Sequence, residues 1–165
     1  LQYSIIRTQL IPKTHKTDWE QAKERNPAIS GKSLAYTFLW MTDTYHLIRA
    51  LNDEDLNAAL AEAFKEFPPF EGTAVRGIGV EDKHINPFRP FESFTTNRTS
   101  AERFVVNGGT IIQRDFTADE AVNISSVTST DEEEIIFFPM KALQNSQLVS
   151  SSHHILNPKM RQRKA

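Results

Sequence analysis

The sequence predicts an α+β fold, with N-terminal helices packed on a mixed, mostly antiparallel two-sheet β core. Three observations predict it. Up to Pro68-Pro69, apolar residues recur at helical spacing. After the prolines, the chain changes to short β-branched or alternating stretches separated by turn residues. The two textures do not interleave, so a repeating βαβ arrangement is excluded.

Residues 1–16 read as an irregular arm with a short strand at Tyr3–Ile6. Thr17-Asp18-Trp19-Glu20 has capping-box spacing and opens a short helix ending near Pro27. Gly31-Lys32-Ser33 lacks the upstream glycine of a phosphate loop and reads as a loop with a helix start. A second helix is predicted from Ser33 to Leu51, with Leu34, Phe38, Met41, Tyr45 and Ile48 near helical spacing. "LNDED" breaks it and caps a third helix, whose acidic first turn suits the helix dipole. That helix carries Leu56, Ala59, Leu60, Ala63, Phe64 and Phe67 as one core-facing stripe and stops at the prolines.

Strands are expected at Thr73–Ile78, Phe91–Thr95, Val105–Val106 with Thr110–Gln113, Val122–Thr128, Glu133–Phe138 and Ala142–Val149. Asn107-Gly108-Gly109 is a turn signal. "SAERF" at 100–104 reads as a short helix capped by Ser100. The tail from Leu156 is polar, basic and loose. One domain spans 1–165, with 1–33 as arm and short helix and 156–165 as tail.

Bulk properties narrow the function. With 39% hydrophobic and 24% charged residues, the 165-residue chain is a globular domain with a real core. The net charge of −2 argues against nucleic acid and against anionic membrane. The basic tail (Lys159, Arg161, Arg163, Lys164) lacks interleaved aromatics. No apolar run has the length of a membrane span. The chain has no cysteine, so disulfides and cysteine-bound zinc are out. A fold indifferent to redox compartment suits a protein that crosses between compartments. His153 and His154 are adjacent and diverge on a strand, so they read as a surface pair. The first residue is Leu1, not Met, and the chain is expected to be a processed product or an excised domain.

Three motifs carry chemistry. In "FPPFEGTAVRGIG", a strand presents Arg76 with Gly77 behind it. Arginine offers a planar fork of donors for phosphate, and the glycine allows close approach to the backbone. In "FESFTTNRTSAERF", Ser93 and Thr95 share one strand face. In "DEEEIIFFP", a strand would point Glu132 and Glu134 one way and Glu133 the other, with Ile135–Phe138 holding the acids rigidly at its mouth. Taken singly, each has a plainer reading: a snorkelling arginine, a hydroxyl-rich edge strand, a solvated acidic turn.

Their order resembles the arginine–serine–glutamate class of mono-ADP-ribosyltransferases. "ALAEAFKEFPPFEGTAVRGIG" is similar to that family's helix and "vyRG" strand, "SFTTNRTSAERF" to its Ser-Thr-Ser strand and Ala-x-x-Phe helix, and "EEEIIFFP" to its "EEEVLxPP" stretch. "VNISSVTST" is similar to the strand that leads into the Glu-x-Glu turn. The resemblance covers residues 34–140. Phe94 and Thr95 depart from the triplet, and the "TSTD" turn lacks the aromatic that several members use to grip a protein target.

The resemblance implies NAD as substrate and no metal. It gives Glu134 the ribose hydroxyl and the developing cation, and Glu132 the acceptor. Arg76 would hold NAD's phosphate and ribose, and the Gly77 backbone the nicotinamide amide. Ser93 would position Glu134, beside Thr95. Arg98 and Arg103 would be further phosphate contacts, and Phe104 core, not a nicotinamide stacker. The implied protein is a secreted bacterial toxin or effector domain acting in the cytoplasm of a target cell. Its acceptor would be a protein of the actin, GTPase or translation-factor class, and a cognate immunity protein would be a second partner. The alternatives are an NAD glycohydrolase with the same site and an inactive binding module of the same fold. The four side chains Arg76, Ser93, Glu132 and Glu134 are expected to converge, with Glu133 pointing away.

Overall fold

The computed structural model describes residues 16–42, 45–79, 90–105 and 108–139. The expected strands at Tyr3–Ile6 and Ala142–Val149, the His153-His154 pair and the basic tail lie outside them. The chain divides into two compact units. One comprises Leu1–Pro68 and Asn123–Thr130, the other Pro69–Val122 and Asp131–Ala165.

The first unit is helical. Helix α1 spans Lys16–Arg25. Helix α2 spans Gly31–Trp40 and starts two residues earlier than expected, because Ser30 is its cap: the Ser30 side chain accepts from the Ser33 N–H at 3.3 Å. The Glu66 carboxylate closes the same end, accepting from Ser30 N–H at 3.0 Å, from Ser30 Oγ at 2.9 Å and from Ser33 Oγ. Those bonds, Ser33's first, hold Glu66 below its ordinary range. Everything from Ser33 to Trp40 is buried, the polar Ser33 and Thr37 included, so this helix is enclosed on every side.

The helix expected to run to Leu51 is two helices. α2 ends at Met41, and α3 spans Tyr45–Leu51. Between them stand Thr42, Asp43 and Thr44, residue types whose side chains compete for backbone hydrogen bonds. Helix α4 spans Glu54–Phe64, with Asp53 Oδ1 accepting from Leu56 N–H at 2.8 Å. It ends at Lys65 and does not reach Phe67. The core here includes Leu34, Phe38, Trp40, Leu60 and Phe64, each at most 1% exposed, with Trp40 edge-on to Phe64 at 6.1 Å.

The segment expected as a strand over Val122–Thr128 is a strand only as far as Asn123. Asn123 Oδ1 accepts from Ser125 N–H at 2.9 Å, which turns the backbone into a 3₁₀ turn over Ser125–Val127. Arg25 and Asn26 at the end of α1 clasp that turn, donating to Ser126 O at 2.8 and 3.1 Å, and Arg25 also to Val127 O at 3.0 Å.

The second unit is built on one five-stranded sheet. β1 is Gly72–Ile78, β2 Glu92–Thr95, β3 Thr110–Phe116, β4 Ala121–Asn123 and β5 Glu134–Phe137, in the order β3-β1-β2-β5-β4. The β1–β2, β1–β3 and β2–β5 pairs are antiparallel. Helix α5, Arg98–Glu102, follows β2. One sheet face buries Ala74, Phe94, Phe116, Ala121, Ile135 and Phe137, with Phe70 and Ile112 against them. The rings of Phe94, Phe116 and Phe137 meet at 5.0, 5.1 and 6.1 Å. Val105 is in no strand, and Val106 and Asn107 of the expected turn lie outside the described residues. β3 begins at Thr110, where Gly109 lies so close to Ile78 that a Cβ would be 1.9 Å from the Ile78 oxygen.

Candidate active site

β2 and β5 pair over their whole length, Glu92 with Phe137 through Thr95 with Glu134. Ser93, Thr95 and Glu134 therefore share a sheet face. Ser93 Oγ donates a hydrogen bond to Glu134 Oε2. Glu134 is 9% exposed, a buried carboxylate at the first position of a fully buried strand. The cost of burying it is offset in part by that hydroxyl.

The turn in front of Glu134 is tied down by the residues that follow β2. Thr95 Oγ1 donates to the Glu132 carbonyl and accepts from Asn97 N–H at 3.0 Å. Asn97 Nδ2 and Ser100 Oγ both donate to the Asp131 carbonyl, at 2.7 and 3.2 Å. Thr96 N–H donates to Glu133 O at 3.3 Å, and Thr96 Oγ1 to Glu133 Oε1 at 3.1 Å. Asn97, not Ser100, caps α5, its Oδ1 accepting from Thr99 N–H and Ser100 N–H, so Ser100's hydroxyl is left to serve the turn.

Strand alternation does not describe the acidic run. Glu133 has φ of +45°, left-handed backbone, and the strand starts only at Glu134. Glu132 and Glu133 are exposed on the turn. Glu132 is thus placed by the tied turn, and Glu133 points toward Thr96.

The register also separates Arg76 from the Ser93–Glu134 pair. Val75 is opposite Thr95, whereas Ala74 is opposite Arg114 and Arg76 opposite Ile112. Alternation therefore sets Arg76 on the aromatic face, the other side of the sheet from Ser93 and Glu134. Of the four side chains expected to converge, Ser93 and Glu134 are in direct contact, and Arg76 approaches from the other side of the split. Val75–Thr95 is the one ladder pair between β1 and β2 among the described residues. Beyond it β1 continues to Ile78 paired with β3 alone, so the sheet is split where Arg76, Gly77, Glu92 and Ser93 stand.

Gly77 has a packing reason to be glycine: a Cβ there would be 1.8 Å from the Ala101 carbonyl oxygen, so the missing side chain makes room for α5. Arg98 is exposed on α5 and pairs with Glu102 at 3.7 Å. Arg103 is exposed too. Phe104, expected in the core, is 53% exposed just beyond α5. Glu92, which the sequence reading passed over, is a buried carboxyl at the split end of β2. Its place directly before Ser93 was the available signal. Among the described residues no group of three or more His, Asp or Glu side chains could hold a metal ion. No described helix is long and apolar enough to cross a membrane.

A scan against protein-family models finds no match, and a search of curated proteins finds none. Solved structures do match in fold. Exoenzyme S from Pseudomonas aeruginosa, in complex with human 14-3-3 protein beta and bound to Carba-NAD, is 14% identical with a TM-score of 0.57, over 82% of this chain and 76% of that one. The ADP-ribosyltransferase Vis of Vibrio splendidus, in complex with an inhibitor, is 15% identical with a TM-score of 0.52, over 80% and 73%. The chain has the ADP-ribosyltransferase fold.

Proposed function

We propose that the chain is an NAD-dependent mono-ADP-ribosyltransferase directed at arginine, with NAD as substrate and Glu134 as its catalytic carboxylate. The observation that carries this reading is the Ser93 Oγ bond to the Glu134 carboxylate at the head of β5, within an ADP-ribosyltransferase fold.

The chemistry follows from the side chains. The bond between nicotinamide nitrogen and ribose C1′ breaks through an oxocarbenium-like state, and nicotinamide leaves neutral. A carboxylate already fixed by Ser93 faces the developing positive charge without reorganising. The acceptor guanidine forms the new C1′–N bond. It must lose a proton, and Glu132 on the tied turn accepts it. The side of β1 that is unpaired toward β2 at Gly77 offers backbone groups to the nicotinamide amide. The exposed ring of Phe104, whose Cβ would lie 3.2 Å from a Cβ on Gly77, can stack on the nicotinamide. Arg76 takes the pyrophosphate through the split between β1 and β2, and Arg98, exposed on α5 and paired only at the surface with Glu102, can turn to a further phosphate contact. Thr95 serves by holding the turn.

A secreted toxin or effector acting inside a target cell fits this reading, with a protein acceptor and a cognate inhibitor as partners. The glycohydrolase and the inactive module remain as alternatives of the same fold. Incubation with labelled NAD and a cell lysate distinguishes them. The transferase labels a macromolecule in the native chain and not in Glu134→Ala. Glu132→Gln loses the label while nicotinamide release continues. Nicotinamide release without label in the native chain means the glycohydrolase, and neither signal from folded protein means the binding module.

A further inference from the structure

The face of the sheet opposite Ser93 and Glu134 holds, beside Arg76, three charged groups that the proposed chemistry leaves unused: Glu92, Arg114 and Glu120. Glu92 opens β2 and alternates with Ser93, so it lies on the Arg76 side. Only 9% of it is exposed. Three elements face it with named groups. β1 brings Arg76. β3 brings Arg114, whose guanidinium lies 4.2 Å from the centre of the Phe137 ring, and Phe137 is Glu92's ladder partner on β5. Glu120, ahead of β4, binds Arg114 Nη2 at 3.2 Å. Neither arginine forms an ion pair with Glu92 among the described residues. Arg114 is held by Glu120 instead, and its Nε and Nη1 are buried without a hydrogen-bond partner.

Glu92 is therefore a desolvated carboxyl steadied only by the fields of two arginines. Burial pushes it above the ordinary carboxylate range, and the charge of Arg76, then that of Arg114, pulls it part of the way back. The balance depends on Arg76 keeping a net positive field. A phosphate group bound to Arg76 neutralises that field and adds negative charge nearby. Both effects act on Glu92 in one direction, toward protonation.

We propose that Glu92 is a positioning and proton-linked residue of the dinucleotide site: a pyrophosphate engages Arg76 together with a proton taken up at Glu92. The ionised carboxyl weakens the positive field that Arg76 offers the pyrophosphate, and the neutral carboxyl leaves that field whole. Dinucleotide binding then tightens as pH falls from neutral toward the carboxylate range, by up to tenfold for each pH unit over which one proton is taken up. This rests on the reading of Arg76 as NAD's phosphate contact.

Calorimetric titration of the full chain with a non-cleavable NAD analogue, in two buffers of different ionisation enthalpy near pH 6, tests it. The native chain is expected to bind with proton uptake. Glu92→Gln is expected to bind without uptake and with a flat pH profile. Carboxyl-carbon NMR of the native chain gives the same answer without a variant, as a rise in the Glu92 titration midpoint on adding the analogue. Binding with no uptake and no rise, or with uptake unchanged in Glu92→Gln, overturns the inference and leaves the NAD site standing. No binding heat in folded protein overturns both.

Discussion

Replacing Gly77 by alanine adds one methyl group, and the structure says where it goes. It would lie 1.8 Å from the Ala101 carbonyl oxygen, 2.9 Å from the Ala101 carbon and 3.2 Å from Phe104 Cβ. Ordinary contact begins at roughly 3.4 Å, so β1 and α5 must part by about 1.5 Å, and both obstacles at Ala101 are backbone, which no rotamer change relieves. Overpacking of this kind costs about 3 kcal/mol, the upper part of the usual range. In a domain of this size that lowers Tm by about 6–12 °C. Gly31→Ala is the matched control. Nothing lies within 4 Å of its added Cβ at the start of α2, so it should stabilise by about 0.4–1 kcal/mol. Thermal unfolding followed by circular dichroism reads both. A Gly77→Ala midpoint within 2 °C of the native one, about 0.5–1 kcal/mol on the same scale, would refute the claim that α5 lies against β1 at this glycine.

Other expectations concern the tied turn and two acids, one buried and one exposed. Ser93→Ala frees the Glu134 carboxylate and should slow nicotinamide release by about tenfold to a hundredfold, at about 1.4 kcal/mol per tenfold, with little change in KM. Asn97→Ala removes the cap of α5 and the bond to Asp131 and should cost about 1–2 kcal/mol in a urea titration. Glu133→Val should be less stable than Glu133→Gly by about 1–2 kcal/mol, because a β-branched side chain is strained at φ of +45°. Glu92 and Glu66 should oppose each other in pH dependence. The raised Glu92 makes the native state the better proton binder, so its contribution declines as pH rises through the window above about 4.3, and Glu92→Gln removes that decline. The lowered Glu66 contributes above that value and loses its contribution as pH falls through its own titration, so Glu66→Gln destabilises at pH 7 and matches the native chain in acid. Urea midpoints at neutral and acidic pH measure both.

Much of the architecture was legible because it depends on periodicity and punctuation. The stripe from Leu56 to Phe64, its Asp53 cap and the strands around Arg76, Ser93 and Ile135 stood close to where spacing placed them. What escaped was decided by single side-chain bonds and by register. Asn123 turns its strand through one bond to Ser125, and Asn97 takes the capping role that "SAERF" suggested for Ser100. Spacing also hid the face of Arg76, since that depends on which residue of β2 stands opposite Val75. Phe104 looked apolar enough for the core, yet lies past the end of α5 with half its surface exposed. The Ser93–Glu134 contact was anticipated only through resemblance, because no local pattern pairs residues that far apart in the chain.

Among the described residues a single ladder pair joins β1 to β2, and it makes Val75 and Thr95 a pivot in the middle of the sheet. On one side β1 and β3 are sewn together by seven consecutive pairs, Gly72–Phe116 to Ile78–Thr110. On the other, β2 and β5 are paired from Glu92–Phe137 to Thr95–Glu134. A sheet jointed in this way can change its twist at one point without breaking either half. The angle between its halves is then set less by backbone hydrogen bonds than by the rings of Phe94, Phe116 and Phe137, which meet across the joint.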